Sequence, residues 1–175
     1  MSMQPGFAVW MTGIPASGKS SLTRALAGTL RDEGISVVVL ESDEIRKILT
    51  PEPTYSTEER DAFYRTLALL GHMITESGVN VIYDATANKR AYRDRARSLI
   101  RKFIEVYVHC PVEICILRDP KGIYQRAAAG TASNVPGVQT EYEPPLDPEL
   151  SLDGQASPDV GVDVIRRRIK ELWHI

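Results

Sequence analysis

Eight consecutive residues of this 175-residue sequence have the types and spacing of a phosphate cradle: Gly13-Ile14-Pro15-Ala16-Ser17-Gly18-Lys19-Ser20. The pattern is G-x-x-x-x-G-K-[ST], in which glycines let main-chain N–H groups close around phosphate oxygens. Lys19 is spaced to reach the β- and γ-phosphates, and the Ser20 hydroxyl to ligate Mg²⁺. Ser21 follows in the first helical turn, where the positive end of the helix dipole also favours an anion.

Further chemistry-bearing residues fall at the ends of apolar runs. Glu41-Ser42-Asp43 closes the second run, with Arg46 one turn later, and Asp84-Ala85-Thr86 closes the third. Asp43 is a candidate to orient or deprotonate an acceptor hydroxyl, or to hold Mg²⁺ through water. Asp84 is the other candidate on the metal side, and either carboxylate can instead cap a helix. Arg46, Arg60 and Arg65 are candidate ligands for an anionic acceptor, because guanidinium pairs bidentately with phosphate or sulfate. A solvated helix face accounts for the same arginines equally well. Lys89, Arg90, Arg93, Arg95, Arg97 and Arg101 form a basic stretch, of which Arg95, Arg97 and Arg101 read as solvated. Phosphoryl transfer asks a protein for an aligned acceptor, a metal and compensated charge, and for little covalent chemistry.

These residues need elements to hold them. Phe7–Thr12 reads as a fully buried strand and 20–33 as a helix with Leu22, Ala25, Leu26 and Leu30 on one face and Gly34 as its stop. A second buried strand is expected at 36–40, a short helix at 43–49 and a long helix from Ser56 to about Glu76. A third strand follows at 79–83, a basic helix at 90–101, a fourth strand at 103–109 and a helix from Pro111 that carries Arg118. Residues 119–153 are rich in proline and glycine and show little periodicity, the pattern of a functional loop such as a lid. An amphipathic helix over 160–173 closes the chain. Alternating buried strands and helices predict an α/β fold with its ligands at the carboxyl ends of the strands.

Composition narrows the partners. A hydrophobic content of 43% and a charged content of 25% are those of a soluble globular chain, and the length suits one domain spanning 1–175. The formal net charge of −2 argues against broad nucleic-acid or membrane affinity. No apolar run reaches a membrane-spanning length and the first residues lack a signal-peptide pattern, so a cytoplasmic location is expected. Cys110 and Cys115 have no metal-ligand spacing and read as packing residues. His72 reads as packed or exposed rather than catalytic.

With these residues in view, the sequence resembles the adenylylsulfate kinase family, which phosphorylates the ribose 3′-hydroxyl of adenosine 5′-phosphosulfate with MgATP to give 3′-phosphoadenylyl sulfate in sulfate activation. The resemblance is carried by Trp10-Met11-Thr12-Gly13 with the phosphate loop and by Leu40-Glu41-Ser42-Asp43-Glu44-Ile45-Arg46, similar to L-D-G-D-N-I-R. Arg118-Asp119-Pro120-Lys121-Gly122-Ile123-Tyr124 and Tyr142-Glu143-Pro144-Pro145 are further shared segments. It implies a P-loop NTPase fold, a three-layer α/β/α arrangement around a mostly parallel five-stranded sheet with a C-terminal lid at about 119–153. It implies Lys19, Asp43 and Arg46 as catalytic residues, ATP on residues 13–21 and Arg118, and Mg²⁺ on Ser20 and Asp43. Asp43, Arg46, Arg60, Arg65, Arg90 and Lys121 become the acceptor-binding set, and a homodimer becomes the expected assembly.

Four positions depart from the family pattern. Phe63 stands for the asparagine of E-N-I-R-R, Tyr55 for the phenylalanine of L-G-F-S, and Val135 for the lid phenylalanine that stacks on the acceptor adenine. Ala87 replaces the serine of F-[IV]-S-P, which removes any phosphoserine intermediate at that position and leaves direct in-line transfer. A related kinase acting on another nucleotide, sugar or phosphoramidate acceptor is the alternative these changes support. A nucleotide-binding module with little turnover is the remaining one, and Asp43 and Arg46 beside the phosphate loop argue against it.

Overall fold

The computed structural model describes residues 4–174. Its sheet has five strands: β1 (Ala8–Thr12), β2 (Val37–Glu41), β3 (Asn80–Asp84), β4 (Phe103–His109) and β5 (Leu150–Asp153). All neighbours are parallel, in the order β2-β3-β1-β4-β5. The expectation of a mostly parallel sheet thus resolves to a wholly parallel one. Parallel pairing brings every carboxyl end to one rim, and the register sets Asp84 beside both Met11 and Glu41. The chain therefore delivers the phosphate loop and both polar strand ends to one place.

Side chains alternate across the sheet, as a pleated strand requires. Phe7, Val9 and Met11 face a core shared with α1 (Lys19–Asp32) and α7 (Pro158–Trp173). Ala8 and Trp10 face the opposite core, under α3 (Thr57–Glu76) and α4 (Arg90–Leu99). The Trp10 indole stacks on Tyr83 and donates its N–H to the Ala85 carbonyl, so its single polar atom is satisfied at full burial. The expected three-layer α/β/α arrangement follows from these two cores. A smaller third cluster joins Cys110 and Cys115 to Tyr124 and Val135. Burial pushes the Cys115 thiol up to about 12, which fits packing rather than reactivity.

α2 (Ser42–Leu49) and α3 frame the rim beyond β2. Ser56 caps α3 by accepting the Glu59 N–H at 3.2 Å, and Glu58 and Glu59 complement the positive end of its dipole.

Three expectations need correction. β2 is an edge strand rather than a fully buried one, and Val38 is 37% exposed on it. The 119–153 stretch is not irregular throughout. It carries α6 (Ile123–Ala128), just after α5 (Val112–Arg118), and it ends in β5. Arg97, expected in solvent, pairs with Glu149 and Glu105 and fastens the approach to β5 onto β4.

Candidate active site

The phosphate loop is braced by main chain from much later in the sequence. Gly18 opens α1 at φ 107°, a conformation that favours glycine, and a Cβ there would lie 3.0 Å from the Gly154 carbonyl oxygen. Gly154 faces the Ser17 carbonyl so closely that any Cβ would overlap it. Its own N–H donates to the His109 carbonyl at 2.7 Å, and its carbonyl accepts from Arg118 Nη1 at 2.8 Å. From the other side, the Tyr124 hydroxyl donates to the Pro15 carbonyl at 2.8 Å. Tyr124 belongs to the Arg118–Tyr124 segment shared with the family, but its bond to the loop has no sequence signal, and neither has Gly154. A glycine after a four-residue strand gives no local signal of contact with a loop 136 positions earlier.

Lys19 is 6% exposed and donates to the Ile14 carbonyl at 2.8 Å. Burial lowers its ammonium below the ordinary lysine range, against the raising pull of Asp84 and Asp43. A bound polyphosphate would act in the same direction as those carboxylates.

A cleft of about 810 Å³ opens in front of the loop. Pro15, Ala16, Gly18, Lys19, Ser20 and Ser21 line it together with Asp43, Asp84, Arg118 and Lys121. The segment from Ser151 to Pro158 completes it beside Arg118. The donor set of Ser20, Asp43 and Asp84 is all oxygen, which suits Mg²⁺. Among the described residues no group of three or more His, Cys, Asp or Glu side chains could hold a metal. Mg²⁺ sites commonly use one or two carboxylates together with substrate phosphates.

Asp43 lies in the first turn of α2, but its side chain does not cap that helix. It reaches across the cleft to Lys121 Nζ at 2.6 Å. Burial pulls the Lys121 ammonium down, but the hydrogen bond and charge of Asp43, with Asp84 and Glu41 behind it, hold it above the ordinary range. Asp119 accepts the Gln125 N–H at 2.9 Å and so orders the turn between Arg118 and Lys121.

Arg46 and Arg60 stand next to this cleft rather than in its lining, and they differ in charge balance. Arg46 pairs with Glu59 at 3.2 Å, and its guanidinium lies 3.8 Å from the centre of the Phe63 ring. Arg60 is 7% exposed, and no carboxylate among the described residues pairs with it. Three neutral oxygens hold it instead: the Tyr55 carbonyl at 3.1 Å, Asn88 Oδ1 at 3.3 Å and the Asn134 carbonyl at 2.7 Å. Burial lowers its pKa, but a guanidinium stays charged at neutral pH. The Tyr55 ring lies beneath both guanidinium groups, 5.2 Å from one and 5.3 Å from the other.

The other arginines are elsewhere. Arg65 has a side chain 64% exposed and pairs with Asp61 on its own helix, so the structure does not bring it to the others. Arg90 bonds the Pro144 carbonyl and neighbours Glu143, at the base of the 119–153 segment. Arg93 is wholly buried, paired with Glu105 at 2.5 Å and donating to the carbonyls of Ala87 and Glu143. Of the remaining loop residues, Gly13 packs against the Val108 carbonyl and Ile14 against Gly137.

The family model described as adenylylsulphate kinase matches residues 5–153. The chain belongs to this family. The adenylyl-sulfate kinase of Rippkaea orientalis (strain PCC 8801 / RF-1) is 38% identical over 173 residues, covering 98% of this chain and 96% of that protein. The Mycobacterium tuberculosis APS kinase CysC, solved in complex with AMPPNP and APS, superposes with a TM-score of 0.90 at 30% identity, over 95% of this chain and 98% of that one. A hexameric APS kinase from Thiobacillus denitrificans matches with a TM-score of 0.70 at 27% identity, over 97% of this chain and 30% of that one.

Within the adenylylsulphate kinase family the departures now have positions. Phe63 is the platform under Arg46, and Tyr55 the platform under Arg46 and Arg60. Val135 is buried in the third cluster against Cys110, Cys115 and Tyr124. Ala87 is buried at φ 43°, with its N–H on the Tyr64 hydroxyl and its carbonyl on Arg93.

Proposed function

We propose that this chain transfers the γ-phosphoryl group of MgATP to the ribose 3′-hydroxyl of adenosine 5′-phosphosulfate, giving ADP and 3′-phosphoadenylyl sulfate. The observation that carries the reading is a buried, uncompensated guanidinium, Arg60, beside a phosphate-loop cleft in a chain of this family. A buried cation without a carboxylate favours an anion, and the acceptor brings a phosphate and a sulfate.

In this reading the loop main chain and Lys19 bind the ATP phosphates. Arg118 and the 151–158 segment receive the base. Ser20, with Asp43 or Asp84, would hold Mg²⁺, which when bound neutralises charge between the β- and γ-phosphates. Asp43 orients the acceptor hydroxyl and takes its proton, while Arg46 and Arg60 fix the anionic end so that the hydroxyl lies in line. Lys121 exchanges Asp43 for the incoming phosphates. Residue 87 offers no hydroxyl, so the phosphoryl group passes directly. The whole chain acts as one kinase domain, with 119–153 as the lid that excludes water from the transfer. No described helix is long and apolar enough to cross a membrane, which fits the proposed cytoplasmic location. A homodimer is the proposed assembly.

ADP release with MgATP should rise strongly on adding micromolar adenosine 5′-phosphosulfate, with product phosphorylated at the 3′ position. Asp43→Asn should cut kcat by roughly 100-fold or more while ATP still binds, as expected for loss of a general base. Burial of Val135 away from the cleft favours a second reading, in which the acceptor is another anionic nucleotide or sugar. ATP-binding protein that adenosine 5′-phosphosulfate fails to stimulate would select that reading.

A further inference from the structure

Asn88 is 1% exposed, carries no charge, and sits where three separate segments meet. Its Oδ1 accepts from Arg60 Nη1 at 3.3 Å, and its Nδ2 donates to the Glu141 carbonyl at 3.0 Å. Its own carbonyl accepts the Glu143 N–H at 2.8 Å. The amide therefore bonds α3 with one end and the 141–143 segment with the other. In the F-[IV]-S-P pattern this position is proline, which could offer the carbonyl and neither side-chain bond.

The asparagine amide suits this place for a physical reason. Arg60 needs acceptors to stay buried, and a carboxylate would satisfy it best, but it would also cancel the charge. A neutral amide oxygen satisfies the donor and leaves the cation intact. The amide's other end bonds a main-chain carbonyl, which requires an N–H donor. An aspartate in its place would keep the contact to Arg60, neutralise it, and set a carboxylate oxygen against the Glu141 carbonyl.

We propose that Asn88 is a positioning residue for the acceptor: it aims the Arg60 guanidinium without neutralising it and ties that arginine to the 141–143 segment. Acceptor binding and the seating of that segment are thereby linked through one side chain. The inference rests on the reading of Arg60 as the acceptor's anion ligand.

Steady-state kinetics of Asn88→Ala and Asn88→Asp, varying each substrate in turn, test it. Asn88→Ala should raise KM for adenosine 5′-phosphosulfate by about 10-fold, the scale of one hydrogen bond to a charged group, with KM for MgATP within about twofold. Asn88→Asp should raise the acceptor KM further, despite its closer shape. In an Arg60→Lys background, Asn88→Ala should add little, because its effect passes through Arg60. Equal rises in both KM values, or a fall in kcat that follows lost thermal stability, would reduce Asn88 to a fold residue and overturn the proposal. An acceptor KM that is lower in Asn88→Asp than in Asn88→Ala would overturn it too. Wild-type protein without any response to adenosine 5′-phosphosulfate would instead sink the acceptor assignment. Thermal shift with inorganic pyrophosphate as an anionic probe, the phosphate loop being already saturated with MgADP, would then still read Asn88 through Arg60, with a smaller shift expected in Asn88→Asp than in wild type and an equal shift counting against the proposal.

Discussion

The two halves of the cleft are built on different principles. The phosphate-binding half proposed for ATP is nearly contiguous: one loop supplies main-chain donors, a lysine and a hydroxyl within eight residues. The half proposed for the acceptor is assembled from the α2–α3 connection, α3, the exit of β3 and the 119–153 segment, held together by side-chain hydrogen bonds between segments. The first is held by its own backbone and by close glycine contacts with main chain from later in the sequence. The second is rigid only while every cross-segment bond is made. Small changes in sequence should therefore retune acceptor recognition far more readily than ATP recognition.

The largest expected effect tests the contiguous half. Lys19→Ala should reduce turnover on the order of 100- to 1000-fold, the scale of losing one donor to a developing transition-state charge, with the fold unchanged by circular dichroism. An active variant would break the assignment of the loop. Gly154→Ala comes next. Its methyl group has to displace the Ser17 carbonyl, so the loop should shift at a cost of about 1–3 kcal/mol. Calorimetric titration with an ATP analogue should show an affinity loss larger than any change in acceptor KM. The smallest effect sharpens the other side: Arg65→Ala should leave both KM values within about twofold, since exposed ion pairs contribute little. A strong acceptor defect there would mean that the acceptor half extends across the outer face of α3.

The same contrast explains what the sequence disclosed. The phosphate loop and four of the five strands were readable because their signals are local, an eight-residue pattern and runs of apolar residues. β5 was not, because Leu150-Ser151-Leu152-Asp153 is too short to stand out from the prolines before it. Arg60 and Arg65 looked equivalent by type, yet the buried stripe of α3 runs through Arg60, Phe63, Tyr64, Leu67 and Gly71. Arg60 is a charge on that stripe, and Arg65 is one step off it, about 100° around the helix. A helical projection separates them, and residue type does not. The bracing by Gly154 and the bonding of Asn88 had no sequence signal, because each depends on partners from distant parts of the chain.

The brace on the phosphate loop also has a consequence for the order of synthesis. The loop is synthesised before Gly154, β5 and the α7 face packed on α1, which follow it by well over a hundred residues. A nascent chain that has completed β1 through β4 has its nucleotide motif in place without the support that fixes its shape. The pairing of β4 with β5 must also close a connection of some forty residues, a late and slow event for a parallel sheet. Competence to hold a nucleotide and completion of the fold should then arrive together, so that unfinished chains do not sequester ATP.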